Sequence, residues 1–172
     1  MTRIAYIGTY VPRRCGIATY THHLRQAVNA ASGGKGSHLV IALTNIPDEH
    51  TYGRGVHPLP KDERSEYRRA AERIRAFGAD LVSLQHEFGI FGGEAGEYVL
   101  DLLESLKRMD IPVVTTFHTV FERPEEPYRA VQQRIAELSD RIIVMTRTAV
   151  RYVAEAFGVP RERITYIPHG TP

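Results

Sequence analysis

The chain has 172 residues, of which 42% are hydrophobic and 24% charged, and its formal net charge is +2. That length supports one domain with a full core and leaves two complete domains cramped, while the near-balanced charge carries no signature of a nucleic-acid or membrane-surface partner. Cys15 is the only cysteine, which excludes an internal disulfide; with no apolar run near the roughly 20 residues of a bilayer span and a strand pattern at the N-terminus, a reducing, cytoplasmic setting is expected.

In chain order, Arg3 to Gly8 reads as a strand that runs through the polar turn TYVPRRCGIAT into a helix over Ile17 to Ala30. The glycine-rich loop Ser32 to Ser37 leads to a strand over His38 to Leu43, and the long polar loop Asn45 to Gly55 precedes a short extended piece at Val56 to Leu59, suited to a sheet edge. A helix over Glu63 to Phe77 follows, its mixed charges from Lys61 to Arg75 forming a wet face. Next come a strand at Leu81 to Gln85, the turn HEFGIFGG, a helix over Glu94 to Arg108 and a strand at Val113 to Phe117. The remainder alternates a helix at Tyr128 to Leu138, a strand at Arg141 to Met145, a helix at Thr148 to Phe157 and a strand at Ile164 to Ile167. Such alternation is the pattern of βα units around a parallel sheet, so the predicted fold is α/β, a single doubly wound parallel sheet flanked by helices. The unbroken apolar runs IIVM and PVVTTF predict strands covered on both faces.

Unusual polar chemistry gathers after the strands at Ile4 to Gly8, Leu81 to Gln85 and Pro112 to Phe117, on the side where a parallel sheet opens its binding crevice. Familiar motifs fail there. SGGKGS follows a helix and lacks the Ser or Thr after Lys35 that a phosphate loop needs, and Gly8 and Gly16 stand too far apart for a dinucleotide turn. Cys15 precedes a helix as a phosphatase nucleophile would, yet position 21 holds Thr21 where such an enzyme needs arginine, so a loop thiol is the better reading. His86, Glu87, His118 and His169 could share one sheet edge, but no zinc-binding spacing joins them. Gly16, by contrast, opens a helix whose first amides lack partners, with Thr19 in its first turn and Arg13 and Arg14 beside it; phosphate oxygens bind such sites, although a plain helix start would look the same.

Taken in order and spacing, PRRCGIATYT, LQHEFGIFGGE, TTFHT and the terminal YIPHGTP resemble the N-terminal domain of family 4 retaining glycosyltransferases of the GT-B fold, over essentially the whole chain. The resemblance implies a Rossmann-like acceptor-side domain over residues 1–167, with 168–172 beginning the linker to a second Rossmann-like domain that this chain lacks. It implies sugar transfer from a nucleotide-diphosphate sugar to a glycan, lipid or small acceptor, with no metal or other cofactor. By position, Gly16 would approach the donor diphosphate and His118 the donor sugar and reaction centre. Arg14, Thr19, His86, Glu87, Phe88, Gly89, Gly92 and Gly93 would shape the acceptor side. Because transfer needs donor and acceptor held in a closed cleft, the domain alone is expected to turn over poorly and to self-associate through its uncovered cleft. Two other classes compete. One is a non-catalytic α/β binding or regulatory module, favoured if Phe88, Phe91 and Tyr10 plug the crevice; the other is a metal-assisted hydrolase built on His86, Glu87 and His118.

Overall fold

The computed structural model describes residues 2–46 and 49–170; Thr171 and Pro172 of the expected linker, and Pro47 and Asp48 of the Asn45–Gly55 loop, lie outside the described residues. Seven strands, β1 (Arg3–Gly8), β2 (Ser37–Thr44), β3 (Val56–Pro60), β4 (Leu81–His86), β5 (Val113–Phe117), β6 (Arg141–Val144) and β7 (Ile164–Tyr166), form one parallel sheet in the order β3-β2-β1-β4-β5-β6-β7. Five helices connect them: α1 (Gly16–Ala31), α2 (Arg64–Phe77), α3 (Val99–Arg108), α4 (Tyr128–Leu138) and α5 (Arg147–Phe157). No helix among the described residues is long and apolar enough to cross a membrane.

The chain winds outward from β1 to β3, returns to β4 and then winds the other way. Because parallel crossovers are right-handed, this reversal sends α1 to one face and α2 to α5 to the other. Side chains follow suit. Ala5, Ile7, Leu39, Ile41, Val82, Leu84 and Ile142 join the helices α2 to α5 in one continuous core, whereas Tyr6, Val40 and Ala42 face Leu24 of α1 in a smaller cluster. Within the large core α3 buries Val99, Leu102, Leu103 and Leu106 completely, each worth about 1.5–3 kcal/mol.

That unequal winding corrects the expectation that both faces are closed along IIVM and PVVTTF. Ile142 and Val144 are buried beneath the helices, but Val114 and Ile143 on the other face are only half-buried and Thr165 is exposed. A helix reaches that face from only one crossover, since β2 and β3 are joined by a loop.

Local chemistry sets the helix ends. Cys15 caps α1, its Sγ accepting from the Ala18 amide at 3.4 Å, and Thr146 caps α5 by accepting from the Ala149 amide at 3.1 Å. Left-handed Gly78 and Gly158 close α2 and α5. The helix expected from Glu94 begins only at Val99, because Gly93, Ala95 and Gly96 have φ of 81°, 51° and 76°, which no right-handed helix accommodates. At the outer edge, Val40 donates to Gly55 at 2.9 Å and Lys61 donates to Thr44 at 2.8 Å. The odd-numbered residues of β3 therefore face β2, and Pro58 and Pro60 occupy the alternating positions that face away.

Candidate functional site

The sheet order reverses between β1 and β4, and a doubly wound sheet opens its crevice beyond the carboxyl ends of the strands at that point. Gly8 ends β1 where a Cβ would stand 3.1 Å from Cβ of Gln85 and 3.2 Å from the Thr21 hydroxyl, so α1 packs closely over the end of β4. Gln85, fully buried on this face, donates through Nε2 to the Ser83 hydroxyl at 3.1 Å and places Oε1 at 2.9 Å from Nε2 of His118. The His118 amide donates to the His86 carbonyl at 3.0 Å, and Tyr20 of α1 meets the His118 ring edge-on at a centroid distance of 4.8 Å. His169, from the segment after β7, lies 5.4 Å from the same Tyr20 ring. Partial burial, with His169 adding to it, pushes the His118 pKa down to about 4, so the ring is neutral at physiological pH.

Gly16 is exposed at the first position of α1, one turn before Tyr20, with open space around its Cα. Its amide and that of Ile17 precede the first helical hydrogen bonds, while Ala18 is satisfied by Cys15. Cys15 is thus engaged as a cap, with the Thr9 hydroxyl 3.0 Å from its sulfur. Thr19 is exposed and donates to the Cys15 carbonyl at 3.4 Å; Arg14 is exposed on the preceding turn. Tyr20, one turn into α1, therefore joins His118 to the His169 segment. Sequence reasoning missed Tyr20 and Gln85. The signal for Gln85 was present, since Ser83 and Gln85 form a polar pair at period two between the apolar residues of a central strand.

The remaining predicted residues lie on the other face or in its loops. His86 is fully buried in a cage of Phe88, Phe91 and Phe117, with centroids at 4.9, 5.8 and 5.4 Å and the Phe91 ring stacked on it. Neither ring nitrogen has a partner among the described residues, and burial, reinforced by His118, pushes its pKa down to about 3. His86 thus reaches the crevice through its carbonyl, not its ring. Glu87 ties two loops together: its carboxylate accepts from the Phe88 amide at 2.9 Å and from the Thr119 hydroxyl, while Gln132 donates to the Thr119 carbonyl at 2.8 Å.

Gly89 is exposed and unobstructed, but Gly92 is buried, and a Cβ there would lie 2.0 Å from the Lys61 carbonyl oxygen. The Gly92 amide donates to the Tyr67 hydroxyl at 3.0 Å, which donates to that same carbonyl at 2.8 Å; Gly93 turns against Tyr98. Both glycines hold the turn together. Phe88 and Phe91 are buried around His86 on one face, while Tyr10 is buried on the other, where its hydroxyl meets His22 and Arg25. Among the described residues no three His, Cys, Asp or Glu side chains come together to hold a metal ion, and His86 and His118 face opposite sides of the sheet. The hydrolase alternative therefore has no ligand set there.

Ile46, Phe121, Tyr128, Tyr166 and Ile167, the large apolar side chains exposed among the described residues, all lie at or beyond the carboxyl ends of strands. That edge, with its switch-point crevice, is where this molecule has apolar surface to cover. The family model described as Glycosyltransferase Family 4 matches residues 15–172. The chain belongs to this family. A comparison with curated protein sequences finds no match.

Solved structures show the same fold around this family 4 chain. A glycosyltransferase from Rickettsia africae ESF-5 superposes with a TM-score of 0.64 at 12% identity, over 98% of this chain and 43% of that one. A UDP-N-acetylglucosamine 2-epimerase from Rickettsia bellii gives 0.61 at 16% identity, over 95% and 44%. An α-glucosyltransferase in complex with UDP-glucose and DNA containing an abasic site gives 0.60 at 12% identity, over 92% and 40%. The chain spans less than half the length of each, and corresponds to one Rossmann-like half of the GT-B fold. A transferase and an epimerase on one scaffold show that the fold alone does not choose the chemistry.

Proposed function

We propose that this chain is the acceptor-side, N-terminal half of a retaining glycosyltransferase that moves a sugar from a nucleotide-diphosphate sugar to a glycan, lipid or small acceptor in the cytoplasm. The observation that carries the reading is that Tyr20, one turn after the exposed Gly16 at the start of α1, meets the neutral His118 beside the switch point of a family 4 chain.

Each part has a task the geometry suits. The Gly16 and Ile17 amides, at the positive end of α1, offer donors to diphosphate oxygens, and exposed Arg14 adds charge nearby. His118 faces the sugar. Being neutral, it meets a substrate by hydrogen bonding without placing a second cation beside the helix terminus. On the acceptor side, exposed Gly89 and Gly93 and partly buried Glu87 are the accessible members of the HEFGIFGG turn, whereas His86, Phe88 and Gly92 support it from within. A second Rossmann-like domain would complete the donor site and cover the apolar carboxyl edge. Without it the domain binds weakly, turns over poorly and self-associates through that edge.

The test is an NMR titration of the chain with UDP- and GDP-sugars, free nucleotides and glycan acceptors, with His118→Ala and Gly16→Ala as controls. Shifts clustered at Gly16, Tyr20 and His118, and lost in the variants, are expected. A well-folded chain that responds to none of these ligands would overturn the reading.

A further inference from the structure

We infer that Gln85 is a positioning residue that fixes His118 as the Nε2–H tautomer, so that the ring presents Nδ1 to the crevice as a hydrogen-bond acceptor suited to a substrate hydroxyl and unsuited to a phosphate oxygen. The choice of ligand rests on the placement of His118 at the substrate; the choice of tautomer stands on the side chains alone.

Gln85 has little freedom. It is fully buried, and its Cβ and Cγ lie under the space that the absent side chain of Gly8 leaves to it. Two residues back on the same strand face, the Ser83 hydroxyl accepts from the carboxamide Nε2 at 3.1 Å, and Oε1 lies 2.9 Å from His118 Nε2. A carboxamide oxygen only accepts, so the nitrogen facing it must carry the ring's proton. A neutral imidazole has one N–H, and the lone pair therefore falls to Nδ1.

That second nitrogen is free to act. Among the described residues it has no hydrogen-bond partner, and unlike both nitrogens of His86 it is not enclosed. The remaining restraints also hold the ring's orientation. Its own amide is tied to the His86 carbonyl at 3.0 Å, and Tyr20 stands edge-on at 4.8 Å. The titratable groups facing it among the described residues are Tyr20 and His169, and no carboxylate is among its hydrogen-bond partners there to favour the doubly protonated ring. A phosphate oxygen can only accept, and so would meet a lone pair at Nδ1; a sugar hydroxyl donates to it.

Long-range proton–nitrogen NMR of the 15N-labelled chain at neutral pH reads the tautomer directly, with the His118 signals assigned by their loss in His118→Gln. The wild type should show the Nε2–H form alone. Gln85→Glu, whose carboxylate accepts in the same place, should keep the proton on Nε2 while its charge draws the ring towards the doubly protonated form. Gln85→Leu should give a mixture of the two tautomers within an otherwise native amide spectrum, and Gln85→Met serves if the leucine variant does not fold. A wild-type ring in the Nδ1–H form would overturn the proposal, as would an unchanged ring spectrum in the apolar variants. None of these readings requires a bound ligand, so a chain that fails to bind nucleotide sugars defeats the proposed function without altering the tautomer result.

Discussion

His86 and His118 end neighbouring strands and share a main-chain hydrogen bond, yet their side chains live in different media. In the β4–β5 register Gln85 lies beside Thr116 and His86 beside Phe117, so consecutive residues point to opposite faces. His86 points under the α2–α5 layer and is sealed by phenylalanine rings; the Gln85 side faces α1, and there His118 finds a polar partner and an open edge. Histidine in itself predicts nothing here. The strand's period of two, combined with the number of helices sent to each face, decides which imidazole can meet a ligand.

Acid is the strongest way to test this contrast. His86 and His118 have folded pKa values near 3 and 4 against 6.5 as their ordinary value. The unfolded chain therefore binds protons that the folded chain refuses, so their contribution is fully present above pH 6.5 and is lost as the pH falls towards 3. At about 1.4 kcal/mol per pKa unit, the two together make a fall of several kcal/mol, with His86 contributing the larger share. Urea midpoints measured from pH 7 downward should show the slope, and His86→Leu should flatten it; an unchanged slope in that variant would mean that the cage admits the charged ring.

The glycines of the HEFGIFGG turn sharpen the same division between buried and open sides. Gly92→Ala puts a Cβ into the Lys61 carbonyl and should cost about 3 kcal/mol or more, whereas Gly89→Ala meets nothing and should stay within about 0.5 kcal/mol. Equal effects on the chemical-denaturation midpoint would break the distinction. At neutral pH, His86→Leu removes two unpartnered nitrogens from an aromatic cage and should stabilise the chain by about 1–2 kcal/mol, read as a higher Tm; a loss of stability would show that the ring is satisfied where it stands. On the α1 side a modest effect is expected from Cys15→Ala, which deletes a weak sulfur cap and should cost about 0.5–1 kcal/mol, with Cys15→Ser restoring it. Should serine fail to rescue, the cap is not what holds the start of the helix.

Much of this architecture was legible in the chain. Alternating apolar runs marked the strands and helices, and glycine or proline at their ends marked most boundaries, because periodicity and backbone restriction act locally. Gly93, Ala95 and Gly96 show where locality fails: GGEAGE reads as a helix start until the packing of Gly96 against the Phe88 carbonyl and of Gly93 against Tyr98 forces left-handed backbone. At the candidate site, Gly16 and His118 were singled out from their positions after strands, since crevice location follows from topology. His86 was grouped with them for the same reason, and its burial could not be read without knowing that α2 to α5 share one face. Tyr20 is brought to His118 only by the close approach of α1 over Gly8, a tertiary contact with no local mark.

The two prolines of β3 bear on how copies of this chain could meet. An exposed strand invites another to pair with it, and such pairing needs a row of backbone donors. At positions 58 and 60 the outward-facing nitrogens carry no hydrogen, so an incoming strand would find carbonyls with few amides between them. The sheet therefore carries its own terminator on that side, and growth into a continuous intermolecular sheet is blocked there, leaving association between copies to side-chain surfaces.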